Sequence, residues 1–118
     1  MQQLHPIDLA QWLQRCARAP GEAEAAAEAC PPVLLDVREP WEVGIASLPG
    51  SQNIPMSELP SRIDEVDTAR TVVCVCHHGV RSMHVALFLA RHGFDPIFNL
   101  AGGIDAWARE VDPNCPTY

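Results

Sequence analysis

The chain has 118 residues, 47% hydrophobic and 19% charged, with a formal net charge of −7 at pH 7. That length suits one domain over residues 1–118 with one real core, and an acidic body offers no attraction to nucleic acid or an anionic membrane surface. No apolar run approaches the ~20 residues that span a bilayer, and MQQLHPIDLAQWL lacks the basic and apolar regions of a secretory signal, so a cytoplasmic protein is expected.

Pro6 can open a helix through Ile7, Leu9, Trp12 and Leu13, whose apolar residues fall on one helical face. PGEAEAAAEACPP (20–32) reads as an Ala/Glu/Pro-rich surface extension without catalytic content. VLLDV (33–37) is a continuous apolar run, the pattern of a buried strand. EPWEVGIAS predicts a short helix and turn, and LPGSQNIPM a Pro-Gly turn with a brief strand around Gln52–Ile54. Ser57 is the expected N-cap of a helix over Leu59–Val66. TVVCV (71–75) is a second buried strand, followed by a helix in MHVALFLARHG that Gly93 ends. PIFNL gives a last strand, GGIDAWARE a last helix, and 111–118 a Pro-containing tail.

Strands alternating with helices, two of them wholly apolar, predict an α/β fold: a central parallel sheet with helices on both faces. Ligands in such folds bind beyond the carboxyl ends of the strands. Cys76 lies at that end of TVVCV, and the turn His77, His78, Gly79, Val80, Arg81 follows it. Amides of this turn, with the N-terminus of the next helix, are suited to hold an anion and to favour thiolate over thiol. Gly79 supplies the backbone freedom such a turn needs. Arg81 carries a charge at every working pH and can order the loop or bind an anion.

Each residue also has a plainer reading. Cys76 could be a structural cysteine, and Cys74, two residues earlier on the same face, is expected to be core. Arg81 could simply pair with Glu39 or Glu42, and Asp36 with Arg38 reads as a structural pair rather than an acid–base couple. Trp41 and Trp107 read as packing residues and Cys115 as incidental. A metal held by His77, His78, Cys74 and Cys76 is disfavoured, because adjacent ligands in a tight turn suit a tetrahedral site badly. No metal and no cofactor are therefore expected. Five cysteines without C-x-x-C spacing or a signal peptide do not suggest a disulfide framework.

Three stretches in order carry a resemblance. LLDVREPWEVGIASLPGSQNIP, VVCVCHHGVRS and NLAGGIDAWA, spanning about Val33–Trp107, resemble the signatures of rhodanese-like domains. The resemblance implies a sulfurtransferase in which a loop cysteine, here Cys76, carries persulfide sulfur from a small or protein-bound donor to cyanide or a thiol. It implies that His77–Arg81 form the active-site loop and that Asp36 and Arg38 support it. The chain departs from the usual pattern at Ala46 and Ser47, which precede the Leu-Pro-Gly turn. It also carries His77, His78 and Val80 where thiosulfate-using members often have basic residues. Two other classes compete. A cysteine-dependent phosphatase or arsenate reductase generally needs a loop one residue longer than HHGV to surround an oxyanion, and a non-catalytic binding module would not need Cys76.

Overall fold

The computed structural model describes residues 1–18 and 31–118. Five strands, β1 (Gln2–Leu4), β2 (Val33–Asp36), β3 (Gln52–Asn53), β4 (Val72–Val75) and β5 (Ile97–Leu100), form one sheet. Their order is β1-β5-β4-β2-β3, and every pairing is parallel. The helices are α1 (Pro6–Arg18), α2 (Pro40–Ile45), α3 (Leu59–Arg62), α4 (Val80–Arg91) and α5 (Gly103–Glu110).

β4 takes the middle of the sheet because each of its residues is apolar, so both faces can be covered. The period-two alternation splits the core. Leu35, Val72, Cys74 and Cys76 face Leu59 of α3 and Val85 and Leu89 of α4. Leu34, Val73 and Val75 face Leu9 and Trp12 of α1, with Ile104 and Trp107 of α5. Helices thus cover both faces, as the alternating pattern predicts. Leu9 and Leu89 are fully buried, and truncating either to alanine is worth about 2–5 kcal/mol. No helix among the described residues is long and apolar enough to cross a membrane.

Several elements differ from the sequence reading. β1 has no strand signature; Gln2, Gln3 and Leu4 become a strand only by pairing along β5 at the sheet edge. Ser57 does not cap the next helix, because the Pro55 carbonyl already accepts from the Glu58 and Leu59 amides and Glu58 takes the cap position. That helix ends at Arg62 and tightens into a 3₁₀ turn over Ile63–Glu65. Ile63, Asp64, Val66 and Asp67 are poor helix formers, which accounts for the early stop. The predicted extension over 20–32 falls, apart from its last two residues, outside the described residues. Cys16, on the buried side of α1, is disulfide-bonded rather than an ordinary thiol, whereas Cys74, Cys76 and Cys115 are free.

Candidate active site

Cys76 leaves the carboxyl end of β4 and is 1% exposed. The chain reverses at Gly79, whose φ of 95° is open to glycine and strained for other residues. This turn brings the Gly79 N–H to 3.1 Å from the Cys76 Sγ, where it donates. In the first turn of α4, the Ser82 hydroxyl lies 3.2 Å from the same sulfur and also contacts Oδ1 of Asn99. Among the described residues Gly79 is the one loop amide hydrogen-bonded to Sγ, a narrower contact than the ring of amides expected from the sequence.

The outer side of the loop is fixed by α5. The amides of Ile104 and Asp105 donate to the carbonyls of Cys76 (2.8 Å) and His77 (3.1 Å). Because a trans peptide sets N–H opposite C=O, the His77 and His78 amides are turned away from α5. The approach is close enough that a Cβ on Gly103 would collide with both carbonyl oxygens. The Gly-Gly pair of NLAGGIDAW therefore belongs to the loop's geometry as much as to the helix start.

Charge around the loop is paired. Arg81 donates from Nη1 and Nη2 to the two carboxylate oxygens of Glu42 at 2.8 and 2.7 Å. Glu42 is buried, and the Arg81 guanidinium outweighs the burial, holding its carboxyl down to about 2. The Glu39 amide and the Tyr118 hydroxyl also donate to this carboxylate. Arg38, fully buried, makes a fork with Asp36 (2.9 and 2.6 Å) and donates to the Ala46 carbonyl and the Tyr118 hydroxyl. Asp36 and Arg38 thus clamp the end of β2 to α2 and the tail, the structural pairing that the sequence favours. Neither arginine presents an unpaired charge to the loop.

The tail closes over this side. The Tyr118 ring stacks on His77 at 3.9 Å and an interplanar angle of 6°, and His77 stacks on His78 at 3.9 Å. Burial, then the neighbouring His78, lowers the His77 pKa. His77 Nε2 is buried without a hydrogen-bond partner. His77, His78 and Asp105 bring potential metal ligands within 4.8 Å of one another. The two imidazoles are stacked with 27° between their planes, and an Asp105 carboxylate oxygen lies 3.9 Å from Nδ1 of His78, so the loop carries an aromatic stack with an acidic neighbour. Val80, at the start of α4, is 60% exposed and makes no polar contact through its side chain. Cys74 is core: burial pushes its thiol up to about 12.

The model of the rhodanese-like domain matches residues 19–110. The chain belongs to the rhodanese-like domain family. This rhodanese-like domain is 38% identical over 81 residues to a sulfurtransferase of Allochromatium vinosum, covering 69% of this chain and 76% of that one. It is 40% identical over 89 residues to the rhodanese-like/PpiC domain-containing protein 12 of Arabidopsis thaliana, covering 72% of this chain and 30% of that protein. The chain spans less than a third of the length of that relative. Among solved structures, a rhodanese-related protein of Thermoplasma volcanium superposes with a TM-score of 0.73 at 30% identity, covering 94% of each chain.

The structure brings Cys76, Gly79 and Arg81 together in one loop, with Asp36 and Arg38 at the neighbouring strand end. The sequence does not single out Ser82, Asn99 or Tyr118. Asn99 carried a signal: it is a polar residue in the otherwise apolar strand IFNL, and a buried amide needs partners. Tyr118 carried none, because its contacts lie on residues distant in sequence.

Proposed function

We propose that this domain is a rhodanese-type sulfurtransferase in which Cys76 is the sulfur carrier. The observation that supports it is the Cys76 Sγ at the end of the central strand, touched by the Gly79 amide and closed in by a four-residue turn to Arg81. As thiolate, Sγ attacks the outer sulfur of a donor R–S–SH. The S–S bond of the donor breaks, the donor thiolate leaves with the electron pair and takes up a proton, and Cys76 holds the second sulfur as a persulfide. A thiol or cyanide then attacks that outer sulfur, and the Cys76 thiolate is regenerated. No oxidant, reductant or cofactor enters this balance.

The charge arrangement favours one kind of donor. Arg81 and Arg38 are each committed to a carboxylate, and the body is acidic. A dianion such as thiosulfate would meet no free permanent cation among the described loop residues, whereas a thiol-bound persulfide, small or on a protein, needs none. The natural donor on this reading is a thiol persulfide, with thiosulfate a weak substitute.

The test is sulfur transfer by Cys76→Ser with a thiol persulfide as donor and cyanide as acceptor. Turnover is lost while the far-ultraviolet circular dichroism is kept, because an alcohol is far less acidic and cannot hold the second sulfur. Equal turnover in wild type and variant would overturn the assignment of Cys76 as sulfur carrier, and none in either would replace the proposal with a non-catalytic binding role.

A further inference from the structure

Ser82 is fully buried and has one hydroxyl proton, yet two acceptors face it: Oδ1 of Asn99 and Sγ of Cys76 at 3.2 Å. Only one of them can receive that proton. The other end of Asn99 fixes which side of the amide faces Ser82. Its Nδ2 donates to the Gly79 carbonyl and to Oε1 of Gln3, both at 3.0 Å. A backbone carbonyl can only accept, so Nδ2 stays on Gly79 and Oδ1 stays on Ser82.

Two acceptors cannot sit in close contact without a proton between them. The arrangement with every group satisfied is therefore a relay: the Cys76 S–H donates to Ser82 Oγ, and the Ser82 O–H donates to Asn99 Oδ1. If Cys76 ionises, its proton leaves to solvent, and the Ser82 hydrogen must swing toward sulfur to stabilise the charge. Oδ1 of Asn99, 2% exposed as a residue, then loses its one donor among the described residues. Leaving a buried carbonyl unpaired is costly.

We propose that Asn99 is a positioning residue that holds the Ser82 hydroxyl proton away from sulfur, so that resting Cys76 is kept as a neutral thiol. The Gly79 amide favours the thiolate and the Ser82–Asn99 relay opposes it. Resting on the proposed sulfur transfer, this makes the relay a guard between turnovers, since thiols react far more slowly than thiolates with oxidants and alkylating agents. Gly79 joins both sides: its N–H donates to Sγ, and its carbonyl orients the amide that restrains it.

The experiment follows thiolate absorbance in the ultraviolet across a pH series, each protein measured against its own Cys76→Ser version, with no turnover involved. Asn99→Leu removes the competing acceptor at similar size. Its curve moves to lower pH by about one unit, a roughly tenfold larger thiolate fraction on the rising limb. In a Ser82→Ala background the same substitution moves the curve by less than about half a unit, because the effect passes through the hydroxyl. An unmoved or higher curve for Asn99→Leu, or an equal drop without Ser82, overturns the proposal. Should Asn99→Leu fail to fold, Ser82→Ala alone decides. A change under about half a unit supports the relay, whereas a rise of about one unit or more means the hydroxyl was already donating to sulfur and the proposal fails. Absence of sulfur transfer in wild type would remove the guarding role and leave this titration result standing.

Discussion

Glu42→Gln separates the two jobs of the Arg81–Glu42 pair, stability and charge cancellation. In the wild type the Glu42 carboxyl is lowered from 4.5 to about 2, with the Arg81 guanidinium as the leading cause. A folded-state value below the unfolded one adds stability that is present above about 4.5 and is lost as pH falls toward about 2. Taken whole, that shift corresponds to about 3 kcal/mol. The Arg81 side chain is 36% exposed, so solvent screening reduces the expected contribution to about 1–2 kcal/mol. The amide introduced by Glu42→Gln keeps a carbonyl for the Tyr118 hydroxyl but has no charge to titrate. Urea unfolding at a series of pH values therefore gives two predictions. Near neutral pH the variant is less stable by about 1–2 kcal/mol, and the gap closes as pH falls below about 4. The same substitution frees the Arg81 charge at the loop, so the KM for thiosulfate falls, more at low salt than at high salt. The KM for a neutral persulfide donor changes little. A constant stability gap from neutral pH down to about 2 would refute the ion-pair reasoning. A thiosulfate KM that does not fall at low salt would refute the claim that Glu42 cancels the loop's cation.

Three further outcomes follow from named contacts. Gly103→Ala puts a Cβ against the Cys76 and His77 carbonyls at a φ of 63°, so stability drops by about 1–3 kcal/mol in urea unfolding, and sulfur transfer falls with it. Tyr118→Ala uncovers His77; its proton NMR titration moves up toward the ordinary 6.5. Because the folded-state value is the lower one, His77 in the wild type costs stability as pH falls below 6.5, and the variant shows less of that loss. A wild-type His77 midpoint above 6.5 would contradict the burial argument. Finally, small aryl phosphates are not hydrolysed by the wild type, as the four residues between Cys76 and Arg81 make too small a ring for an oxyanion; robust release of the phenol would contradict this.

What could be read from the chain was what local pattern encodes. TVVCV is apolar at every position from Val72 to Val75, and only a strand covered on both faces satisfies that, so the central strand and the site at its end were legible together. Gly79 marked the turn for the same local reason. The charge state of the loop was not legible, because the partner of Arg81 sits 39 residues away on α2 and Glu39 was an equal candidate until the fold chose Glu42. The same holds for Gly103, whose need for a missing side chain arises from carbonyls of residues 76 and 77 packed against it. β1 is strand by pairing and not by propensity. Asn99 is the instructive case. A lone amide in IFNL announces buried partners, yet that those partners are Ser82, Gly79 and Gln3 depends on α4, the loop and β1 meeting at one point.

The central claim, that Cys76 carries sulfur, is tested most directly by intact mass spectrometry after incubation with a thiol persulfide and removal of excess donor. The wild type is expected to gain the mass of one sulfur atom and to lose it on addition of cyanide, with thiocyanate released in equal amount. Cys76→Ser is expected to gain nothing that cyanide can discharge as thiocyanate. No sulfur adduct on the wild type, or the same dischargeable adduct on Cys76→Ser, would contradict the account.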